Sequence, residues 1–351
     1  MDTTPITARS LQKPYKINAD EFERAYKDHL SDYRTWEHLP HAKQWLIFPD
    51  NIGPHLSIDE TALSNGELYT IVSNKDAHGK KGALVAIVLG TKVEDVVAAL
   101  QRIDYDQRAK VLEMTLDFSE SMHSIVQQCF PCARITLDRF HMQKLAYEAM
   151  QEMRVKYRRE ALNAEAEGRR KHRLRNKRNA LNRKKGKKDP RGRKPNRLNE
   201  VYTPTRLSNG DTVNELLVRS RYLLMTSADK WTDNQKKRAK LLFELYPDLK
   251  EAYSITHSLR MIFNNKNATP ESAKQSLEAW YEKVTTFNND AFFTVAATYK
   301  EREDEILNFF VNRATNASAE SLNSKIKSFR AQLRGVVDIP FFLYRLSTIF
   351  G

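Results

Sequence analysis

"MTLDFSESMHSIVQQCFPCARITLDRFHMQK" (Met114–Lys144) contains the ends of two strand-like runs, "VLEMTLD" and "ARITLD", each finishing on an aspartate. Between them Met122, Ile125, Val126 and Cys129 recur at helical spacing, and a long helix opens near Arg139, after D-R-F-H. The stretch therefore reads β-α-β-α, with a carboxylate at the end of each strand.

The preceding sequence supplies three more strands. "HLSID" is followed by "GELYTIVSN" and "GALVAIVLG", two β-rich runs joined by the polar turn "KDAHGKK", which predicts a hairpin and antiparallel neighbours. "TKVEDVVAALQRI" then reads as a helix with a Thr91–Glu94 capping box. The order β-β-β-α-β-α-β-α is that of an RNase H-like domain, an α/β fold with a mixed sheet. An earlier helix is expected from Ala19 to Tyr33, capped by Asn18, with Phe22, Tyr26 and Leu30 on one stripe.

Beyond Glu160 strand signals vanish and well-punctuated helices follow. Thr232 and Gln235 form a T-x-x-Q box, Pro247 separates two helices, and Thr269-Pro270 sets a cap before a proline at the first helical position. The expected organisation is a helical lead-in over 1–50 and the first part of the core over 51–155. A large all-helical insertion follows over 156–312, and C-terminal helices complete the core over 313–351. The last of these, "NASAESLNSKIKSFRAQL", places Leu322, Ile326, Phe329 and Leu333 on one stripe and Glu320, Ser324, Lys327 and Arg334 on the opposite face.

The net charge of +14 is concentrated in one segment. From Arg169 to Arg197 the chain has sixteen Lys and Arg against one acid, Asp189, while the remainder holds 42 basic and 43 acidic residues. Such a run binds phosphates by releasing counterions. Arg169, Arg170, Lys171, Arg173, Arg175, Lys177, Arg178, Arg183, Lys184 and Lys185 are the DNA-binding candidates, with Lys327 on the last helix. Glycine and proline breaks in "KKGKKDPRGRKPNR" predict a segment that is mobile when unbound. No eighteen-residue apolar run and no signal-peptide core is present, so no membrane is expected. The two cysteines, Cys129 and Cys132, are spaced C-x-x-C, but they close a helix instead of opening one, which favours a helix-ending turn around Pro131 over a redox dithiol.

Three acids end strands in one sheet: Asp59 in "LSIDE", Asp117 and Asp138. Singly, each is as readily a helix cap. In an RNase H-like sheet the first and fourth strands lie side by side, which brings Asp59 and Asp117 together. Two close carboxylates repel unless a proton or a cation intervenes, and hard oxygen donors suit Mg²⁺. Glu320 is the candidate third ligand. Two ions, Mg²⁺ or Mn²⁺, held by Asp59, Asp117 and Glu320 would suit in-line phosphoryl transfer.

At these residues the chain resembles the DDE transposases of bacterial insertion sequences, of the ISL3 type with its ISAon-like relatives. The resemblance runs through "LSIDETALSNGELYTIVSN", "DFSESMHSIVQQCFPCARITLDRFHMQK", "RSRYLLMTSADKWTDNQKKRAKLLFELYPDLKEAY" and "TNASAESLNSKIKSFRAQLRGV". It implies metal-dependent cleavage and strand transfer of double-stranded DNA, element ends and target alike. Asp59, Asp117 and Glu320 would then be catalytic, Asp138 and His141 would form a D-x-x-H motif, and Asn316, Asn323 and Lys327 would orient the site or a DNA phosphate. It further implies a homo-oligomer working in the bacterial cytoplasm at the nucleoid. Family members commonly begin with a zinc-binding and helix-turn-helix region, and no such segment precedes Asp59 here. The expectation is a separate end-recognising polypeptide, or a truncated and inactive copy. Two rival readings stay open from the residues alone: a non-enzymatic basic nucleic-acid-binding protein, and an RNase H-like nuclease without strand transfer.

Overall fold

The computed structural model describes residues 1–64, 66–184, 201–313, 315–333 and 336–351. The strands are β1 (Trp45–Ile47), β2 (His55–Ser64), β3 (Glu67–Asn74), β4 (Leu84–Leu89), β5 (Glu113–Leu116) and β6 (Arg134–Leu137). In chain order the first helices are α1 (Ala8–Tyr15), α2 (Ala19–Ala25), α3 (Val93–Leu100), α4 (Tyr105–Arg108), α5 (Glu120–Cys129) and α6 (Arg139–Lys184). After them come α7 (Val213–Arg219), α8 (Arg221–Met225), α9 (Asp233–Leu245), α10 (Pro247–Asn264) and α11 (Pro270–Phe287). The last four are α12 (Asp290–Glu301), α13 (Glu303–Asn312), α14 (Ala317–Gln332) and α15 (Ile339–Phe350).

The chain divides into two compact units, one of Met1–Met142, Asn267–Lys274 and Glu301–Gly351, the other of Gln143–Lys266 and Gln275–Lys300. The first holds a single mixed sheet in the order β1-β4-β3-β2-β5-β6. β2, β3 and β4 pair antiparallel, as the hairpin signal predicts, while β2–β5 and β5–β6 are parallel. This is the RNase H-like sheet, with β1 added antiparallel to β4 at the edge. Three residues are too few for alternation to register, so β1 has no sequence signature.

Strand alternation gives the sheet two buried faces. Leu56, Ile58, Val72, Met114 and Leu116 pack with Val96, Leu100, Ile125 and Val126 of α3 and α5. Leu63, Tyr69, Ile71 and Ile87 pack on the opposite side with Leu322, Ile326 and Phe329 of α14 and with Phe342, Leu343 and Leu346 of α15. Each such side chain, fully buried, contributes about 1.5–3 kcal/mol. The stripe read from "NASAESLNSKIKSFRAQL" is thus the surface that fixes α14 to the sheet; contrary to expectation α14 is not the last helix, since α15 follows.

Three local expectations are corrected. α3 starts at Val93 with Lys92 as its cap and no side-chain cap bond, so Thr91 and Glu94 form no capping box. The Asn18-capped helix is α-helical only to Ala25; a π-helical turn over Tyr26–Leu30 follows, and Leu30 is exposed. That turn breaks the 3.6-residue phase, so that Tyr26 is buried while Leu30 points outward. The basic run, expected to be mobile, is helical as far as Lys184. Its Arg, Lys and Leu content favours helix, and Glu165–Arg169 and Glu167–Lys171 pairs one turn apart support it. The glycine- and proline-rich remainder of that run lies outside the described residues.

The second unit is helical. Thr232 and Gln235 form the reciprocal cap of α9, and Pro247 is the first residue of α10; in the first unit, Thr269 caps the start of α11. Trp280 anchors the core of the second unit, donating to the Ile255 carbonyl at 3.0 Å and stacking on Tyr299.

Candidate active site

The register of β2 against β5 sets Ser57 opposite Thr115. Two residues further along both chains, on the same face, come Asp59 and Asp117, one within β2 and the other just past the end of β5. Parallel pairing of adjacent strands is what makes these two carboxylates neighbours. Asp138 follows β6 in the same manner, because Leu116 pairs with Leu137.

Each acid is held by a different set of donors. Asp59 accepts from the Glu60 amide at 2.8 Å and from the Asn323 side-chain amide at 2.7 Å. Asp117 accepts from the Ser119 amide at 2.9 Å. The buried Asp138 accepts from the amides of Phe140 and Asn316, both at 3.2 Å. Asp138 therefore caps α6 and simultaneously ties down the residue that starts α14. One turn on, the Glu320 amide donates to the Asn316 carbonyl at 2.8 Å, and the Glu320 side chain lies exposed.

Electrostatics link these groups. Burial, and then the nearby Asp117, push the Asp59 carboxyl above the usual range, against opposing hydrogen bonds and His141. Burial raises Glu320 as well, with Asp138 and Asp59 adding to the effect and His141 opposing it. Glu60, unremarked in the sequence, is raised by burial, Asp117 and Asp59. The cluster thus holds more negative charge than its surroundings neutralise.

Among the described residues no three His, Cys, Asp or Glu side chains converge closely enough to hold a metal ion. The donor set nonetheless fits a hard divalent cation: its members are carboxylates, and the buried Oδ1 of Asn316 beside Asp138 has no hydrogen-bond partner. An unpaired buried amide oxygen is costly, and a cation would satisfy it.

Behind the pair, on the same face of β5, Glu113 is buried and accepts from Lys75 Nζ at 2.8 Å and from the Asn312 amide. Lys75 also reaches Thr115 at 2.7 Å. The alternation Glu113, Thr115, Asp117 signals this polar row in the sequence, but its partners come from distant segments, Lys75 just after β3 and Asn312 at the end of α13.

Of the basic candidates, Arg169, Arg170, Lys171, Arg173, Arg175, Lys177 and Arg178 are exposed along α6. Arg183 and Lys184 belong to its last turn, whereas Lys185 lies outside the described residues, as does Arg334. Lys327 is exposed on α14, two turns beyond Glu320. The C-x-x-C pair is two free thiols, with burial pushing Cys129 up to about 11, the reverse of a reactive dithiol. No helix among the described residues is long and apolar enough to cross a membrane.

The sequence was compared with known families, curated proteins and solved structures. The model of one family, the ISL3-type DDE transposases, described as transposase, matches residues 56–346. No curated protein and no solved structure matches the chain.

Proposed function

The chain belongs to the ISL3-type family of DDE transposases, and from that membership we propose that it cuts and joins DNA with Asp59, Asp117 and Glu320. Transposases act on DNA, so the substrate class comes with the family. The observation that carries the residue assignment is the parallel β2–β5 register, which makes Asp59 and Asp117 neighbours while Asn323 fastens α14, and with it Glu320, to Asp59.

In this reading the three carboxylates hold Mg²⁺ or Mn²⁺, two ions in all. Bound there, the ions supply activation of a water or 3′-hydroxyl and stabilisation of the leaving oxygen. Asn323 orients Asp59, and Asp138 holds the start of α14 so that Glu320 faces the aspartates. His141, within electrostatic reach of Asp59 and Glu320, is assigned a structural or DNA-positioning role. The exposed cations of α6 add sequence-independent affinity for the DNA backbone. Pairing two element ends calls for a homo-oligomer, acting at the nucleoid in the cytoplasm.

The test is strand transfer of pre-cleaved element ends into plasmid DNA with Mg²⁺ or Mn²⁺. Recombinant joints support the transposase reading, whereas nicks without joints favour the hydrolytic nuclease. Activity undiminished in Asp59→Asn, Asp117→Asn and Glu320→Gln removes the site assignment.

A further inference from the structure

Phe140 is the only phenylalanine among the described residues that is left exposed, at 62%. It stands in the first turn of α6, directly after the buried Asp138. Its backbone is fixed: the Phe140 amide donates to Asp138 Oδ2 at 3.2 Å, and the Asp138 amide donates to the Leu116 carbonyl at 2.8 Å. Its ring meets His141 edge-on, with centroids 5.5 Å apart. His141 is in electrostatic reach of both Asp59 and Glu320. An apolar, flat surface is thus held beside the carboxylate cluster, next to the exposed Arg139.

A paired and stacked base offers a protein only its edge. A phenyl ring gains from DNA where a base has left its stack, because every base has a π-face and stacking on an aromatic ring tolerates any sequence. Apolar wedges at a base step also unstack and bend the duplex.

Resting on the transposase reading above, we propose that Phe140 is a positioning residue for the DNA strand, its ring stacking on a base unpaired beside the scissile phosphate. The stacked base anchors the distorted backbone against Asp59, Asp117 and Glu320. Stacking offsets the cost of unpairing, so the contribution is largest on fully paired DNA.

The experiment uses the full chain and two 40-base-pair duplexes, one fully paired and one carrying a single central mismatch. Binding without added metal, and nicking with Mn²⁺, are measured for the parent, Phe140→Ala, Phe140→Leu and Phe140→Trp. Because the ring is exposed, unchanged circular dichroism and melting are expected. The parent and Phe140→Trp should bind the mismatched duplex about ten-fold more tightly than the paired one, and Phe140→Ala and Phe140→Leu should lose that preference. Nicking of paired DNA should fall about ten-fold in the Ala and Leu variants and recover on the mismatched duplex, where unpairing is already supplied. A parent without preference for the mismatch, or a Leu variant equal to Trp, overturns the proposal. Asp59→Asn in the same assays separates the two readings: nicking at the parent rate in that variant removes the catalytic assignment, while the binding preference still decides the role of Phe140.

Discussion

Asn323 on α14 donates its side-chain amide to Asp59 Oδ2 on β2 at 2.7 Å, so the helix that carries Glu320 is fastened to the strand that carries the first aspartate. The two residues are 264 positions apart in the chain.

Asn323→Ala removes that bond and leaves Asp59 accepting from the Glu60 amide alone. A hydrogen bond to a charged group is worth about 1.5–3 kcal/mol, so a loss in DNA cleavage of about ten-fold or more is expected. The cleavage rate at saturating DNA, compared between parent and variant, checks this; an equal rate would show that Asp59 needs no such anchor.

Asp59→Asn should stabilise the metal-free protein at neutral pH while abolishing cleavage. Burial, then Asp117, raise the Asp59 pKa in the folded state. The folded state therefore holds this proton more tightly than the unfolded one. Stability declines as pH climbs past the unfolded value of about 3.9 and levels off above the raised folded value. The melting midpoint of Asp59→Asn should exceed that of the parent at pH 7.5 and match it near pH 3. Mn²⁺ should raise the midpoint of the parent and have little effect on the variant. A thermal scan across pH decides it, and a variant that melts lower at pH 7.5 counts against the repulsion.

Glu113 shows the opposite sign. Although burial pushes its carboxyl up, bonds from Lys75 and Asn312 outweigh this and hold it below the usual range. Its contribution is fully present above the unfolded pKa of about 4.3 and is lost as pH falls through the depressed folded value. Glu113→Gln strands the Lys75 ammonium in a largely buried site, a cost of about 3–5 kcal/mol. Lys75→Met combined with Glu113→Leu should recover most of it. Urea unfolding of the single and double variants at pH 7 measures both, and equal losses in the two would exclude a stranded charge as the cause.

Replacing Arg169, Arg170, Lys171, Arg173 and Arg175 by Gln should weaken binding to all DNA sequences alike. The slope of log affinity against log salt should shrink by about 0.9 for each phosphate that the variant no longer neutralises. Fluorescence anisotropy over a salt series with two unrelated duplexes reads this directly. A variant with an unchanged slope would assign DNA affinity to another surface.

Much of the fold was legible because its signals are local. β-rich runs announce β2 to β6, the 3.6-residue stripe of Leu322, Ile326 and Phe329 marks the buried face of α14, and Thr232 with Gln235 announces a helix start that the structure reproduces. The misses follow from the same rule. β1 is too short to alternate, and the π turn after Ala25 changes phase in a way no single-period pattern contains. Thr91 shows that a T-x-x-E spelling does not make a cap when the chain turns one residue later.

For the site, residue type and order were readable, and the order of elements already set the strands of Asp59 and Asp117 side by side; the hydrogen-bond partners of the acids were not readable. From its own sequence this protein determined that Asp117 and Asp138 follow strands, which helix carries Glu320 and where its positive charge is concentrated, because each depends on neighbours within a few residues, whereas Asp59, expected at a strand end, lies within β2, which runs on to Ser64. Only tertiary structure decided that Asn323 reaches Asp59 and that Asp138 commits its oxygens to the starts of α6 and α14. Those relationships arise from strand register and from α14 docking on the sheet, and both are set by burial of apolar surface between segments far apart in the chain.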